Sequence, residues 1–130
     1  MEKQKVVLFC RSDTSEQLAL QAERLKQYAD ENNCEVVAVV QEQRTGVSNR
    51  RWKWRLAMRL AKRYEASLLV ADLSRVARDS FVASRYAMQL RHRRIKLFSA
   101  IEGIKKDQVE NMLAVAKVIS WETAPQLSST

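Results

Sequence analysis

Glycine and proline are nearly absent, with two glycines and one proline in 130 residues. That excludes a fold built on many tight turns, as most all-β folds are, and argues for long helices joined by short loops. Cysteine and histidine are as scarce. Cys10 and Cys34 are the only cysteines, no Cys-x-x-Cys occurs, and His92 is the single histidine. A thiolate or imidazole metal site lacks its ligands, so no metal and no cofactor is expected. A glycine-rich phosphate loop is missing too, which counts against a flavodoxin-like nucleotide-binding domain. No apolar run approaches the roughly 20 residues that span a bilayer, and the N-terminus lacks a signal-peptide core. The chain reads as cytoplasmic, with reduced thiols and no membrane partner.

Negative charge is in the minority. Lys and Arg number 23 against 15 Asp and Glu, for a net charge of +8. A small basic domain is drawn to polyanions by phosphate contacts and counterion release. The plain alternative is a solvated positive face without a partner. With 46% hydrophobic and 29% charged residues the composition is that of an ordinary globular protein. The length suits one domain with its own core.

The pattern along the chain alternates strand and helix. Lys5 to Cys10 is a short, nearly continuous apolar run, as in a buried parallel strand. From about Thr14 to Asn32, Leu18, Ala22, Leu25 and Ala29 recur at helical spacing, with Thr14 or Asp13 as cap and Glu16 in the first turn. Glu35 to Val40 is a second strand, rich in β-branched residues. A polar stretch follows, then a helix at about Trp52 to Tyr64 and a strand from Ser67 to Asp72. Ser80 to Arg93 reads as a helix with Val82, Tyr86, Met88 and Leu90 available to the core, and Ile95 to Ser99 as a fourth strand. The last helix, about Asp107 to Trp121, carries Val109, Met112, Leu113, Ala116 and Ile119 on one face. These β–α units imply an α/β three-layer sandwich: a mainly parallel sheet of four to five strands with helices on both faces.

In such sheets ligands bind beyond the carboxyl ends of the strands, where the strand order reverses. Arg11-Ser12-Asp13-Thr14 follows strand one, and Asp72-Leu73-Ser74-Arg75-Val76-Ala77-Arg78-Asp79 follows strand three. Arg11, Arg75 and Arg78 would form a cationic pocket there, and arginine's planar fork suits phosphate. A hydroxyl beside three arginines is the minimum equipment for phosphoryl transfer. The alternative is that Arg75 and Arg78 pair locally with Asp72 and Asp79.

Arg50-Arg51-Trp52-Lys53-Trp54-Arg55 continues into Arg59, Lys62 and Arg63. Basic residues interleaved with aromatics suit a nucleic-acid backbone, whereas an amphipathic helix would put at least one tryptophan in the core. Arg44, Arg50, Lys53 and Arg55 are the candidate DNA contacts. Arg91-His92-Arg93-Arg94 ends a helix, where cations meet the negative end of the dipole. The apolar face of the last helix completes the core or forms a dimer seam.

Four segments together resemble the catalytic domain of the serine recombinases, the resolvase/invertase family. F-C-R-S-D-T-S-E-Q-L-A-L-Q is similar to that family's start, aromatic-x-Arg-Val-Ser-Thr-x-x-Gln followed by x-Leu-x-x-Gln. R-T-G-V-S-N-R-R-W resembles its Ser-Gly loop, with Arg51 on the loop arginine, and D-L-S-R-V-A-R-D its Asp/Ser-Arg-x-x-Arg-Asp/Ser motif. I-E-G after strand four resembles its Ser-x-x-Glu segment, with Glu102 on the glutamate. The matches fall in order between about Lys5 and Gly103. The resemblance implies DNA cleavage by a serine without metal, through a 5′-phosphoserine linkage and with exchange in a tetramer. Arg11, Arg51, Arg75 and Arg78 would be the phosphate clamp, with Gln17, Ser74 and Glu102 as secondary candidates.

The nucleophile position departs from the family motif. Counted from Arg11, Asp13 stands where the family has serine, while Thr14 and Gln17 match the family's next threonine and glutamine. If the family's valine is instead deleted, Ser12 is the nucleophile, and Leu18, Leu20 and Gln21 align without a gap. A carboxylate at the scissile phosphate would repel it and could form only a labile mixed anhydride. The expectation is therefore a resolvase-like serine site-specific DNA recombinase domain if Ser12 is the nucleophile. The alternative is a catalytically impaired, resolvase-like adaptor or regulator that binds DNA or protein. Residues 1–122 are expected to form the domain and 123–130 a disordered tail, with no separate DNA-binding domain. Expected partners are DNA, further copies of the chain through the C-terminal helix, and a separate DNA-targeting protein.

Overall fold

The computed structural model describes residues 3–44, 52–76, 80–104 and 106–114. Four strands, β1 (Gln4–Ser12), β2 (Cys34–Gln43), β3 (Ser67–Val70) and β4 (Leu97–Ser99), form one parallel sheet in the order β2-β1-β3-β4. Helices α1 (Ser15–Glu31), α2 (Trp52–Arg63) and α3 (Ser80–His92) separate them in sequence. Residues 109–114 are helical and belong to the last helix. The architecture is the expected α/β sandwich, with four strands among the described residues. Expectations that fall on Arg50, Arg51, Arg78, Asp79, Ala116, Ile119 and the tail lie outside those residues.

Burial on both faces explains why β1 reads as a continuous apolar run rather than an alternating one. Val7 and Phe9 point to one side, against Trp54, Ala57, Met58 and Ala61 of α2, Ala87 and Leu90 of α3, and Val109, Met112 and Leu113. Val6, Leu8 and Cys10 point to the other side, where Leu18, Ala22, Leu25 and Ala29 of α1 cover them. The helical spacing of α1 thus corresponds to its buried stripe. Thr14 is its cap: the backbone there is extended, and its Oγ1 accepts a hydrogen bond from the Gln17 N–H at 3.2 Å.

Several strand boundaries, including the start of β4 at Leu97 instead of Ile95, and one core assignment differ from expectation. Both β1 and β2 run on into polar sequence, pairing as far as Ser12 with Gln43, because ladder hydrogen bonds need no apolar side chains. β3 stops at Val70 instead of Asp72, since Asp72 leaves the strand to cap a short 3-10 turn over Leu73–Arg75. Met88 is 63% exposed instead of buried. The inward stripe of α3 runs through Ala83, Tyr86, Ala87 and Leu90, and Met88 lies about 100° around the helix from Ala87.

Each of the first three helices turns into the next strand through a residue with left-handed backbone: Asn33 (φ 58), Glu65 (φ 53) and Arg94 (φ 58). Glycine would adopt that geometry freely and asparagine tolerates it, whereas the side chains of Glu65 and Arg94 each cost about 1 kcal/mol there. All three lie at the edge of the sheet from which the strands start.

The two tryptophans of α2 divide the roles the sequence left open. Trp54 is fully buried, edge-on to Phe9 at a centroid distance of 5.1 Å and beside Tyr86 at 5.4 Å. Trp52 is 57% exposed. Truncating a buried aromatic removes its burial energy and leaves a cavity. Trp54→Ala should therefore lower the unfolding free energy in urea by about 3–5 kcal/mol. Trp52→Ala should change it by no more than about 0.5 kcal/mol.

Candidate active site

The site arises from a mismatch in strand length. β1 pairs with β2 to its end, but its pairing with β3 stops at Leu8 opposite Leu69. Beyond that point the β3-facing edge of β1 has no strand beside it. Side chains fill the notch. The Arg11 N–H donates to Gln21 Oε1 at 3.0 Å, and Gln21 Nε2 donates back to the Arg11 carbonyl at 3.3 Å. One side-chain amide thus gives the Arg11 peptide what a neighbouring strand would. The same carbonyl accepts a hydrogen bond from Arg75 Nη1 at 2.9 Å.

Ser12 is the next residue, and its side chain follows Cys10 to the α1 side of the sheet. It is buried, and it lines a cleft of about 580 Å³ together with Gln17, Gln21 and Arg24 of α1, and Asp72 and Arg75 from the turn after β3. The Ser12 hydroxyl donates to Gln17 Oε1 at 2.5 Å. Arg75 is held in place by Asp72, whose Oδ2 lies 3.4 Å from its Nε. The local ion pair and the placement of Arg75 in the cleft are therefore both present. Asp72 also accepts from the Ser74 N–H at 3.0 Å and from the Ser74 hydroxyl, which ties Ser74 into the turn.

Asp13 points elsewhere. Its carboxylate is 65% exposed and pairs with Arg44 Nε at 3.0 Å, while the Arg44 N–H donates to the Ser12 carbonyl at 2.8 Å on the β2 side. Arg11 also departs from the cleft. Consecutive strand residues face opposite sides, and the Arg11 side chain lies on the α2 side with its Nε 3.1 Å from Glu42 Oε1. Its guanidinium is not gathered with that of Arg75, although its carbonyl anchors Arg75. Lys53 donates to the Gln41 carbonyl at 2.7 Å and sits over the Trp52 ring, and Arg55 is exposed on α2. Glu102 is exposed in the turn after β4, where Gly103 takes φ 97 and its N–H donates to the Ser99 carbonyl at 2.8 Å. That positive φ requires the glycine.

Three participants were not assigned to the site from the sequence alone: Gln21, Arg24 and Glu42. Gln21 carried a readable signal, as a polar residue on the otherwise apolar stripe of Leu18, Ala22 and Leu25. The pairing of Glu42 with Arg11 depends on the β1–β2 register, which periodicity does not give. Among the described residues no cluster of three or more His, Cys, Asp or Glu side chains could hold a metal ion, and no helix is long and apolar enough to cross a membrane.

A hydroxyl and a guanidinium thus stand together at the switch point of a parallel sheet. The comparisons give the family. Residues 6–123 match the family model described as Resolvase, N terminal domain, and the chain belongs to that family as a resolvase-like recombinase domain. Among solved structures, a resolvase family site-specific recombinase from Streptococcus pneumoniae is 26% identical with a TM-score of 0.70, over 98% of this chain and 95% of that one. The N-terminal catalytic domain of TP901-1 integrase gives 20% identity and a TM-score of 0.73, over 95% of this chain and 98% of that one. The C-terminal catalytic domain of ISC1926 TnpA, an IS607-like serine recombinase, gives 20% and 0.63, over 89% and 79%. No curated protein matches the chain significantly.

Cys10 lies two residues before Ser12 on the same side of β1. Burial pushes its thiol from 9.0 up to about 11, against the opposing pull of the Lys26 and Arg75 charges. The folded protein therefore keeps this proton where the unfolded chain releases it. Stability from this group is complete below pH 9 and lost as the pH rises towards 11. At pH 8 the thiolate fraction falls about a hundredfold against the reference thiol. Iodoacetamide should leave Cys10 unmodified in the native protein and label it after unfolding, as mass spectrometry of the tryptic peptide would report.

Proposed function

We propose that the chain is an active serine recombinase domain and that Ser12, not Asp13, is its nucleophile. The observation that carries this is the division of the two neighbours: the Ser12 hydroxyl opens on the cleft that holds Arg75, and the Asp13 carboxylate turns outward to Arg44. The Ser12 oxygen attacks a DNA phosphodiester, the P–O3′ bond breaks, and the serine proton leaves with the departing 3′ oxygen. The product is a 5′-phosphoserine linkage that reverses with a new 3′-hydroxyl. Arg75 stabilises the charge growing on the phosphoryl oxygens. Arg51 and Arg78 belong to the same proposal through the motif positions they occupy, and Glu102 as the acidic residue after strand four. Gln17 orients the hydroxyl before attack, while Arg11 shapes the site through its backbone.

The domain would act on DNA as a homo-oligomer. Val109, Met112 and Leu113 are buried in the core, so residues 109–114 would offer a second copy only their exposed side, with Glu110, Asn111 and Ala114. Sequence choice would come from a DNA-targeting partner or from chain outside residues 1–122. One motive for the adaptor reading is Asp13 at the nucleophile position, and its outward carboxylate counts against that motive.

Covalent capture tests the reaction. Incubated with nicked or supercoiled DNA and denatured, the protein should yield a DNA-linked band that Ser12→Ala abolishes and Asp13→Asn keeps. Arg75→Ala should slow adduct formation by about 10²–10³-fold, the usual effect of losing one donor to a developing oxyanion. An adduct that survives Ser12→Ala but not Asp13→Asn would reverse the assignment.

A further inference from the structure

The edge of the sheet opposite the cleft holds a second concavity, of about 570 Å³. Five cationic side chains line it: Lys3 just before β1, Lys5 at its start, Lys62 from the end of α2, and Arg94 and Lys96 ahead of β4. Glu65 is the single carboxylate among the lining residues. Lys62 is held by a hydrogen bond to the Arg93 carbonyl at 3.0 Å. Among the described residues none of the five has a carboxylate within ion-pair distance; the ion pairs there are Arg11–Glu42, Arg44–Asp13, Arg75–Asp72 and Arg91–Glu110. Arg94 takes its left-handed backbone at this rim, as does Glu65. A positive surface also leads to the concavity. Arg55, Arg59 and Lys62 recur at helical spacing on the exposed side of α2, which contains no acidic residue.

We propose that this basic concavity is a second contact for the DNA backbone, at the far edge of the sheet from the cleavage cleft. The proposal rests on the reading of the chain as a DNA-acting domain. Concentrated like charge repels a second copy of the same surface, whereas phosphodiesters bring both the opposite charge and counterions to release. The α2 stripe extends the positive surface from the concavity along the face of the sheet opposite the cleft. β1 spans nine residues, so the edges lie about 26 Å apart at ~3.3 Å per residue. A duplex that reaches both sites must extend about eight base pairs past the point of cleavage.

The length threshold makes the test specific. The triple variant Lys5→Gln/Arg94→Asn/Lys96→Gln removes three exposed cations, and asparagine tolerates the left-handed backbone at position 94. Its circular dichroism and melting temperature are compared with wild type first. Binding is then measured by fluorescence anisotropy across salt concentration, on a duplex of about 30 base pairs and on one of about six. On the long duplex the variant should bind at least about tenfold more weakly at low salt, and its log K against log[salt] slope should shrink by about 2–3. On the short duplex, which reaches only one of the two sites at a time, the loss should be smaller. Lys26→Gln/Arg85→Gln/Lys106→Gln, which removes the same charge outside the concavity, should leave the long-duplex slope nearer wild type.

Equal binding of wild type and triple variant to the long duplex would overturn the proposal, as would loss of self-association without loss of DNA affinity. The Ser12 adduct is scored separately. An intact adduct with unchanged long-duplex binding defeats this inference and leaves the recombinase reading in place. A missing adduct with the expected length-dependent loss does the reverse. A wild-type protein that binds neither duplex defeats both.

Discussion

The peptide of Arg11 is the constraint on which the site depends. It is a strand residue whose lateral neighbour has ended, so its N–H and C=O must find partners among side chains. A buried peptide left without partners costs as much as a lost hydrogen bond or more. Gln21 and Arg75 meet that demand from two different elements, and in doing so they fix the cleft. α1 is held to the end of β1 by an amide, and the turn after β3 by a guanidinium. Ser12, the next residue, inherits its surroundings from this arrangement. Backbone satisfaction and the placement of charge near a hydroxyl are thus one construction.

This construction separates neighbouring polar side chains by geometry alone. The alternation of a β-strand sends Arg11 to the α2 side, where Glu42 receives it, and Ser12 to the α1 side. Asp13, already leaving the strand, turns to Arg44. A contiguous string in the sequence is therefore dispersed in three directions. The motif alone left open whether Ser12 or Asp13 holds the nucleophile position, because spacing cannot say at which residue a strand ends.

Much of the fold was legible. The apolar stripe of α1, the buried run of β1 and the alternation of strand and helix were sufficient for the class, because burial on both faces leaves a direct mark on composition. That a cleft opens at the switch point was readable too, since it stems from topology. What the sequence did not disclose depended on register and length. That β3 stops at Val70, that Arg11 lies opposite Glu42, and that Gln21 stands in for a strand are relations between distant segments. Met88 was misplaced for a simpler reason: α3 is short of strong periodicity, and one residue of phase moves a side chain to solvent.

The left-handed residues bear on how the chain folds at all. Asn33, Glu65 and Arg94 hold a conformation that glycine would adopt without strain, in a protein with only two glycines. The native state stores about 2 kcal/mol in these connections, chiefly at Glu65 and Arg94. The unfolded chain is also stiffer, since residues with side chains explore less backbone space than glycine and lose less entropy on ordering. The two effects oppose one another. Such a protein starts from a smaller ensemble of disordered shapes and ends in a slightly tensed one, with the tension at the edge remote from the Ser12 hydroxyl.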